Sequence, residues 1–130
     1  MPEFGPTSKA NLATCDERLQ RLFNVVVMYY DCSVICGFRG EIDQNRAFLE
    51  GKSKKMWPHG EHNKQPSRAV DVLPFPIDWN DTNRMRFFAG YVLGVAKMLG
   101  LSVRWGGDWD SDRDLKDQTF NDLPHFELAD

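Results

Sequence analysis

The chain of 130 residues has three histidines, His59, His62 and His125, and two of them keep company with aspartates. His62 stands nine residues before Asp71, and Asp122 stands three before His125. A His, Asp and His set that leaves one tetrahedral position open to water is a recognised form of catalytic zinc site, and it does not require thiolates. Such a site also needs a carboxylate to take a proton from water and pass it to a leaving amine. Asp122, on a turn entering the last strand, is spaced to share a cavity with His125. The same residues also read as solvated loop histidines, a satisfied core imidazole and a capping aspartate, so spacing alone leaves both readings open.

The elements that must hold these residues follow from periodicity and breakers. Leu12, Cys15, Leu19, Leu22, Phe23 and Val26 recur at three and four, which predicts one amphipathic helix from Ser8 with Thr7 or Ser8 as its N-cap. Ser33 to Phe38 reads as a buried strand, and Glu41 to Glu50 as a short helix ended by Gly51. Lys52 to Pro66 is a polar loop broken by Pro58, Gly60 and Pro66, of a length that a compact domain seldom carries without a use for it. Ala69 to Leu73 is the next strand. Pro74 and Pro76 stop it, and Asp78 or Asp81 can cap a helix that buries Met85, Phe88, Ala89, Val92, Ala96 and Leu99. Helical spacing places Phe87 and Tyr91 in the core as well. Leu101 to Trp105 and Pro124 to Leu128 are short strands on either side of an Asp-rich loop. Without regular β-α-β alternation the expected fold is α+β, a small, mainly antiparallel sheet flanked by helices.

Composition sets the class. With 42% hydrophobic residues, nine Phe and four Trp, residues 1–130 are expected to form a single domain, its first seven residues disordered or left by cloning. Sixteen Lys and Arg against nineteen Asp and Glu give a net charge of −3, which argues against nucleic acid as a partner. The longest apolar run, Phe87 to Ala96, is about half of the ~20 residues that span a bilayer, so no stable membrane insertion is expected. Cys15, Cys32 and Cys36 are odd in number and read as free, mostly buried thiols, and no segment reads as a signal peptide. Asp108, Asp110, Asp112 and Asp114 alternate as in a calcium loop, but Arg113 stands where Gly belongs and Thr119 where Glu belongs, which reads as a solvated loop, with a weak cation site as the lesser alternative. Lys52, Lys54 and Lys55 beside Trp57 read as a solvated face, and lining a cleft is a role that only the family resemblance given next implies for them. Of the tryptophans flanking Gly106-Gly107, one of Trp105 and Trp109 is expected in the core and the other at a cleft wall.

His62-Asn63-Lys64-Gln65-Pro66-Ser67-Arg68-Ala69-Val70-Asp71, Arg104-Trp105-Gly106-Gly107-Asp108-Trp109 and Asp122-Leu123-Pro124-His125-Phe126-Glu127-Leu128 together resemble the M15 zinc metallopeptidases. These include the D-alanyl-D-alanine carboxypeptidases and the phage L-alanyl-D-glutamate endolysins, and the resemblance is strongest to the endolysins. It runs from Asn11-Leu12-Ala13-Thr14 through Gly37-Phe38-Arg39 to the end of the chain. It implies the fold of the hedgehog and DD-peptidase group, with Zn2+ as cofactor, His62, Asp71 and His125 as metal ligands, Asp122 as catalytic base and Arg39 as the residue that stabilises the oxyanion. The sequence departs from the commoner S-x-H-x-x-G-x-A-x-D form in its longer His-to-Asp interval, with Gly60 at the Ser position and Ser67 at the Gly position. His59 is a further candidate ligand in that segment.

The activity so implied is hydrolysis of the L-alanyl-D-glutamate bond in the peptidoglycan stem peptide by a monomeric phage endolysin. It would stay in the host cytoplasm until lysis and reach the cell wall through a membrane-permeabilising partner such as a holin. A D-alanyl-D-alanine carboxypeptidase, or a non-catalytic zinc-binding domain on the same scaffold, are the alternatives.

Overall fold

A computed structural model describes residues 2–130. In chain order the elements are α1 (Pro6–Ala13), α2 (Glu17–Tyr29), β1 (Cys32–Cys36), α3 (Glu41–Leu49), β2 (Ala69–Pro74), α4 (Thr82–Met98), β3 (Val103–Trp105) and β4 (His125–Leu128). The four strands form one sheet in the order β1-β2-β4-β3, each pair antiparallel. The expected α+β class is the one observed. β2 and β4 occupy the middle of the sheet, and every residue of both is buried.

Side chains on a strand alternate between faces, and here the alternation separates core from chemistry. Val70, Val72, Phe126 and Leu128 belong to the hydrophobic core. Asp71, His125 and Glu127 fall between them and share the opposite face. Register completes the arrangement: Asp71 pairs with His125, and Arg104 on β3 pairs with Glu127. The core face is covered by α2, through Leu19, Leu22, Phe23, Val26 and Val27, and by α4, through Met85, Phe88, Ala89, Val92 and Ala96. Phe23 and Phe88 meet Phe126 edge-on, with centroids 5.5 and 6.3 Å apart. Truncating a buried phenylalanine to alanine costs about 3–5 kcal/mol, so this aromatic contact is a principal fastening between helices and sheet.

Four expectations change. The first helix is two helices, because the chain breaks at Thr14–Asp16 to lace onto the segment entering β2. Ser67 donates its N–H to the Thr14 carbonyl at 2.9 Å, and Asp16 donates to the Ser67 carbonyl at 2.8 Å. The Asp16 side chain then accepts the Arg18 N–H and starts α2 afresh. Neither Thr7 nor Ser8 caps α1: Gly5 does, with Pro6 opening the helix, and Ser8 is buried with its hydroxyl accepting the Val34 N–H at 3.0 Å. The N-terminal segment joins the fold, since Phe4 is only 6% exposed and packs in the core. Phe87 is 72% exposed and Tyr91 sits at the edge of the helix's buried stripe, both beside Tyr30 outside the core proper.

Candidate active site

His62 reaches the sheet from the long loop, on a single 3-10 turn at Glu61–Asn63. That turn is fastened on several sides. Arg39 donates its backbone N–H to the His62 carbonyl at 2.9 Å, and Asn63 Nδ2 returns a bond to the Arg39 carbonyl at 3.0 Å. Arg68 reaches back to Glu61 through both its backbone N–H and its guanidinium, each at 3.1 Å. A loop held this way delivers a side chain as rigidly as a strand does. The result is that His62 Nε2 lies 3.2 Å from Asp71 Oδ1, and His125 Nδ1 lies 3.5 Å from the same oxygen.

Hydrogen bonds decide which nitrogen of each neutral ring is free. His62 Nδ1 is 2.7 Å from the Gly37 carbonyl, which only accepts, so Nδ1 carries the hydrogen and Nε2 offers its lone pair. His125 Nε2 is 2.7 Å from Glu127 Oε1, so there Nε2 carries the hydrogen and Nδ1 is free. Nδ1 of His125 is moreover a buried nitrogen without a hydrogen-bond partner. Two lone pairs and a carboxylate oxygen thus converge, with ligand atoms of His62, Asp71 and His125 all within 4.8 Å of one another. Ligands bonded at about 2.0–2.1 Å around a tetrahedral ion are about 3.3–3.4 Å apart, which the 3.2 and 3.5 Å spacings match. The three side chains can hold a metal ion. Gly37 and Glu127 set ring orientation in the manner common behind metal-binding histidines.

Charge is concentrated here. Burial opposes protonation of both rings, but Asp71 more than reverses it by charge and hydrogen bonding, lifting His62 to about 10. Attraction to Asp71 and the bond to Glu127 likewise overcome burial and lift His125 to about 9. Burial would raise Asp71, yet the two imidazoles hold its carboxyl well below the usual range. Burial, then the negative charge of Asp71, push Asp122 up to about 6. Its Oδ2 stands 3.7 Å from His125 Nδ1, at the edge of the same cluster. Arg39 is held at Asp71 Oδ2 (3.3 Å) and at Gln44 Oε1 (3.2 Å).

All five residues singled out from the sequence therefore meet at one place. A cavity of about 490 Å³ opens beside it, lined by Arg39, His62, Asp122 and His125 together with Lys52, Lys54, Lys55, Arg104, Trp109 and Phe120. Trp105 points to the core and Trp109 forms a wall, its ring 5.3 Å from that of His125. His59 is exposed and stands outside the cluster. Two residues went unremarked in the sequence. Glu127 was visible in principle, since it is two residues from His125 and so on the same strand face. Gln44 left no signal: it is 1% exposed and joins Arg39, Asn63, Ser53 and the Lys55 carbonyl, contacts that follow no helical or strand spacing.

Backbone closeness fixes the turn that carries Asp122 and His125. Gly106 donates its N–H to the His125 carbonyl and accepts the Asp122 N–H, both at 2.8 Å. A Cβ on Gly106 would fall 2.1 Å from the Asp122 carbonyl oxygen. Gly106→Ala is therefore expected to cost about 1–3 kcal/mol of stability through overpacking. It should also cut turnover by about 10²-fold by displacing two site residues. Thermal unfolding and turnover measured beside Gly90→Ala, where an added Cβ meets nothing within 4 Å, check this.

The chain is similar to known proteins over nearly its whole length. The chain is 28% identical over 127 residues to the L-alanyl-D-glutamate peptidase of Escherichia phage T5, covering 89% of this chain and 88% of that one. The crystal structure of the L-Ala D-Glu endopeptidase ChiX from Serratia marcescens matches with a TM-score of 0.75 at 25% identity, over 98% of this chain and 91% of that one. The family profile described as phage L-alanyl-D-glutamate peptidase matches residues 2–129. With nearly every residue inside that match, the chain belongs to the phage L-alanyl-D-glutamate peptidase family.

Proposed function

We propose that His62, Asp71 and His125 hold zinc, and that the protein hydrolyses the L-alanyl-D-glutamate bond of the peptidoglycan stem with Asp122 as general base and Arg39 as oxyanion partner. The observation that carries this reading is the convergence of two oriented imidazole lone pairs on one carboxylate, with a second carboxylate at the rim. A bound zinc ion supplies Lewis-acid chemistry, acidifying water and polarising a peptide carbonyl. Asp122, ionised at neutral pH and partly shielded from solvent, takes a proton from water and returns it to the departing amine. Arg39, pinned by Asp71 and Gln44, presents a fixed positive charge at the cleft for the oxygen that gains negative charge. Lys52, Lys54, Lys55 and Arg104 along the same cleft suit a substrate carrying carboxylates.

In this reading residues 2–130 form the catalytic domain, acting as a monomer. Among the described residues no helix is long and apolar enough to cross a membrane. Passage from the host cytoplasm to the wall then depends on a partner of the holin kind that opens the inner membrane.

The test is digestion of purified muropeptides followed by mass spectrometry. Expected products carry a new carboxylate on L-alanine and a new amine on D-glutamate, and chelator stops the reaction until zinc is restored. Release of terminal D-alanine alone, or activity indifferent to chelator, overturns the reading.

A proton count gives a second check. In the metal-free protein His62 and His125 sit at about 10 and 9, so both rings are protonated at neutral pH and a cation must displace those protons. Zinc binding near pH 7.5 is expected to release about two protons and to weaken as pH falls. Calorimetry in buffers of different ionisation enthalpy measures the number, and no net release contradicts the ligand assignment.

A further inference from the structure

Two cavities, not one, open at the cluster. Arg39, Lys52 and Asp122 line both the cavity beside the two imidazoles and a second one of about 530 Å³, so the two meet at the residues that face the scissile bond. The second has a chemistry of its own. Asp43, Arg46, Ala47 and Glu50, on α3 and its C-cap, are spaced to share one helix face, and all four line this cavity. Apart from Asp122, the charges around it cancel in pairs: Arg46 with Asp43 at 3.5 Å, Lys52 with Glu50 at 3.1 Å and Arg39 with Asp71 at 3.3 Å. Ala47, the short side chain among them, leaves room.

A further wall of this cavity is Trp79, 56% exposed on the turn between β2 and α4. The turn is held firmly. Asn80 and Asp81 donate their N–H groups to the side chain and carbonyl of Asp78, at 3.0 and 3.2 Å, and Arg84 donates to the Phe75 and Pro76 carbonyls. An indole face fixed in the open beside neutralised polar groups suits a sugar ring, which stacks its apolar face on the indole while its hydroxyls exchange hydrogen bonds with carboxylate and guanidinium. The cavity beside the imidazoles differs in sign. There Lys54 and Lys55 pair with no carboxylate among the described residues, and the Lys54 ammonium lies 5.1 Å from the centre of the Phe120 ring. Unspent positive charge of this kind draws an acidic group.

We propose that the stem peptide crosses the site in one direction, with its sugar-bearing acyl side in the Trp79 cavity and its acidic leaving side against Lys54 and Lys55, and that Trp79 recognises the N-acetylmuramyl sugar. Resting on the peptidase reading, this adds to it a direction and a sugar subsite. The chemistry of the substrate supplies the match. The alanine nitrogen is acylated by the lactyl carboxyl of the sugar, so that end presents hydroxyls and an acetamide without charge, whereas the glutamate side keeps a free carboxylate. The reverse direction would set that carboxylate beside Asp43 and Glu50 and leave Lys54 and Lys55 facing a neutral sugar.

The experiment compares two substrates that share the scissile bond, a disaccharide muropeptide and the same stem peptide bearing only its N-lactyl group. The parent is expected to show a kcat/KM on the order of tenfold higher for the sugar-bearing substrate. Trp79→Ala is expected to erase this preference through KM, leaving the N-lactyl reaction within about twofold of the parent, and Trp79→Phe, which keeps an aromatic face, to retain most of it. Joint replacement of Lys54 and Lys55 by alanine is expected to weaken both substrates alike, because both carry the glutamate side. Equal loss on both substrates in Trp79→Ala, or a parent that does not distinguish them, overturns the subsite. A Lys54 and Lys55 double variant that loses only the sugar-bearing reaction overturns the direction. Calorimetry with N-acetylmuramyl-L-alanine reads the subsite without turnover: saturable binding to the parent and its loss in Trp79→Ala are expected, and no binding up to about 10 mM contradicts it. Failure of the peptidase reading shows separately, as muropeptides left whole or cut at another bond.

Discussion

Asp122→Asn is expected to lower turnover on muropeptides by about 10²–10⁴-fold, the usual contribution of a positioned general base, with zinc content equal to that of the parent. The substitution keeps size and shape, and the backbone bonds that fix the turn, Asp122 N–H to Gly106 O and His125 N–H to Asp122 O, use no side-chain atom. What it removes is the ability to accept a proton. The pH profile makes the assignment specific. Burial and the negative charge of Asp71 raise the parent carboxyl to about 6, and a bound cation draws it lower, so the acid limb of kcat/KM lies at or below about pH 6. Because the active form is the ionised one, activity falls as pH drops through that value, and the asparagine variant's residual activity loses this limb. An Asp122→Asn enzyme with parental turnover, or one that has lost its zinc, sinks the role given to Asp122.

The second large effect is at Asp71. Arg39, His62 and His125 all depend on this one carboxylate, which is buried at the centre of the sheet. Asp71→Ala is expected to abolish stoichiometric zinc binding and, in the metal-free protein at neutral pH, to cost about 3–5 kcal/mol by stranding buried positive charge. The sign with pH follows from the imidazoles. Their folded pKa values are raised above the usual 6.5, so the stabilisation they draw from Asp71 is fully present below about pH 6.5 and is lost as pH climbs through 9 to 10. Parent and variant, both stripped of metal, should thus differ most in denaturant midpoint near pH 6 and converge in alkali. A difference independent of pH would mean that Asp71 acts by packing alone.

How far the sequence foretold the site depended on whether each contact is local. The alternation of Val70, Asp71 and Val72, and of His125, Phe126, Glu127 and Leu128, is a strand pattern with one face apolar; both strands were expected from the sequence, while the shared face that adds Glu127 to the site follows only from the register of β2 on β4. The position of His62 beside them came from family resemblance, because a loop histidine carries no periodic signal. The break between α1 and α2 was hidden for a related reason. The apolar stripe continues from Leu12 through Cys15 to Leu19, and what interrupts the helix is a pair of backbone bonds to Ser67, far along the chain. Phe87 and Tyr91 were misplaced because helical spacing gives the direction of a stripe better than its width. Of the alternating aspartates expected in a solvated loop, Asp110, Asp112 and Asp114 are exposed and Asp108 alone is buried, because the turn that bonds its N–H to the Trp105 carbonyl at 3.0 Å folds it against the protein.

Strand order also governs when the enzyme becomes an enzyme. β4 is the last strand in sequence yet lies between β2 and β3. Until it inserts, β2 lacks one hydrogen-bonded neighbour and β3 has none, while Asp71 and His62 wait without His125 or Asp122. Closing this sheet brings together segments far apart in the chain, a slow kind of contact to form. Until β4 docks, His125 and Asp122 therefore stay apart from Asp71 and His62, and the proposed ligand set and base are incomplete. The topology thus ties assembly of the proposed site to closure of the sheet, since the strand that joins β2 to β3 is the one that brings His125.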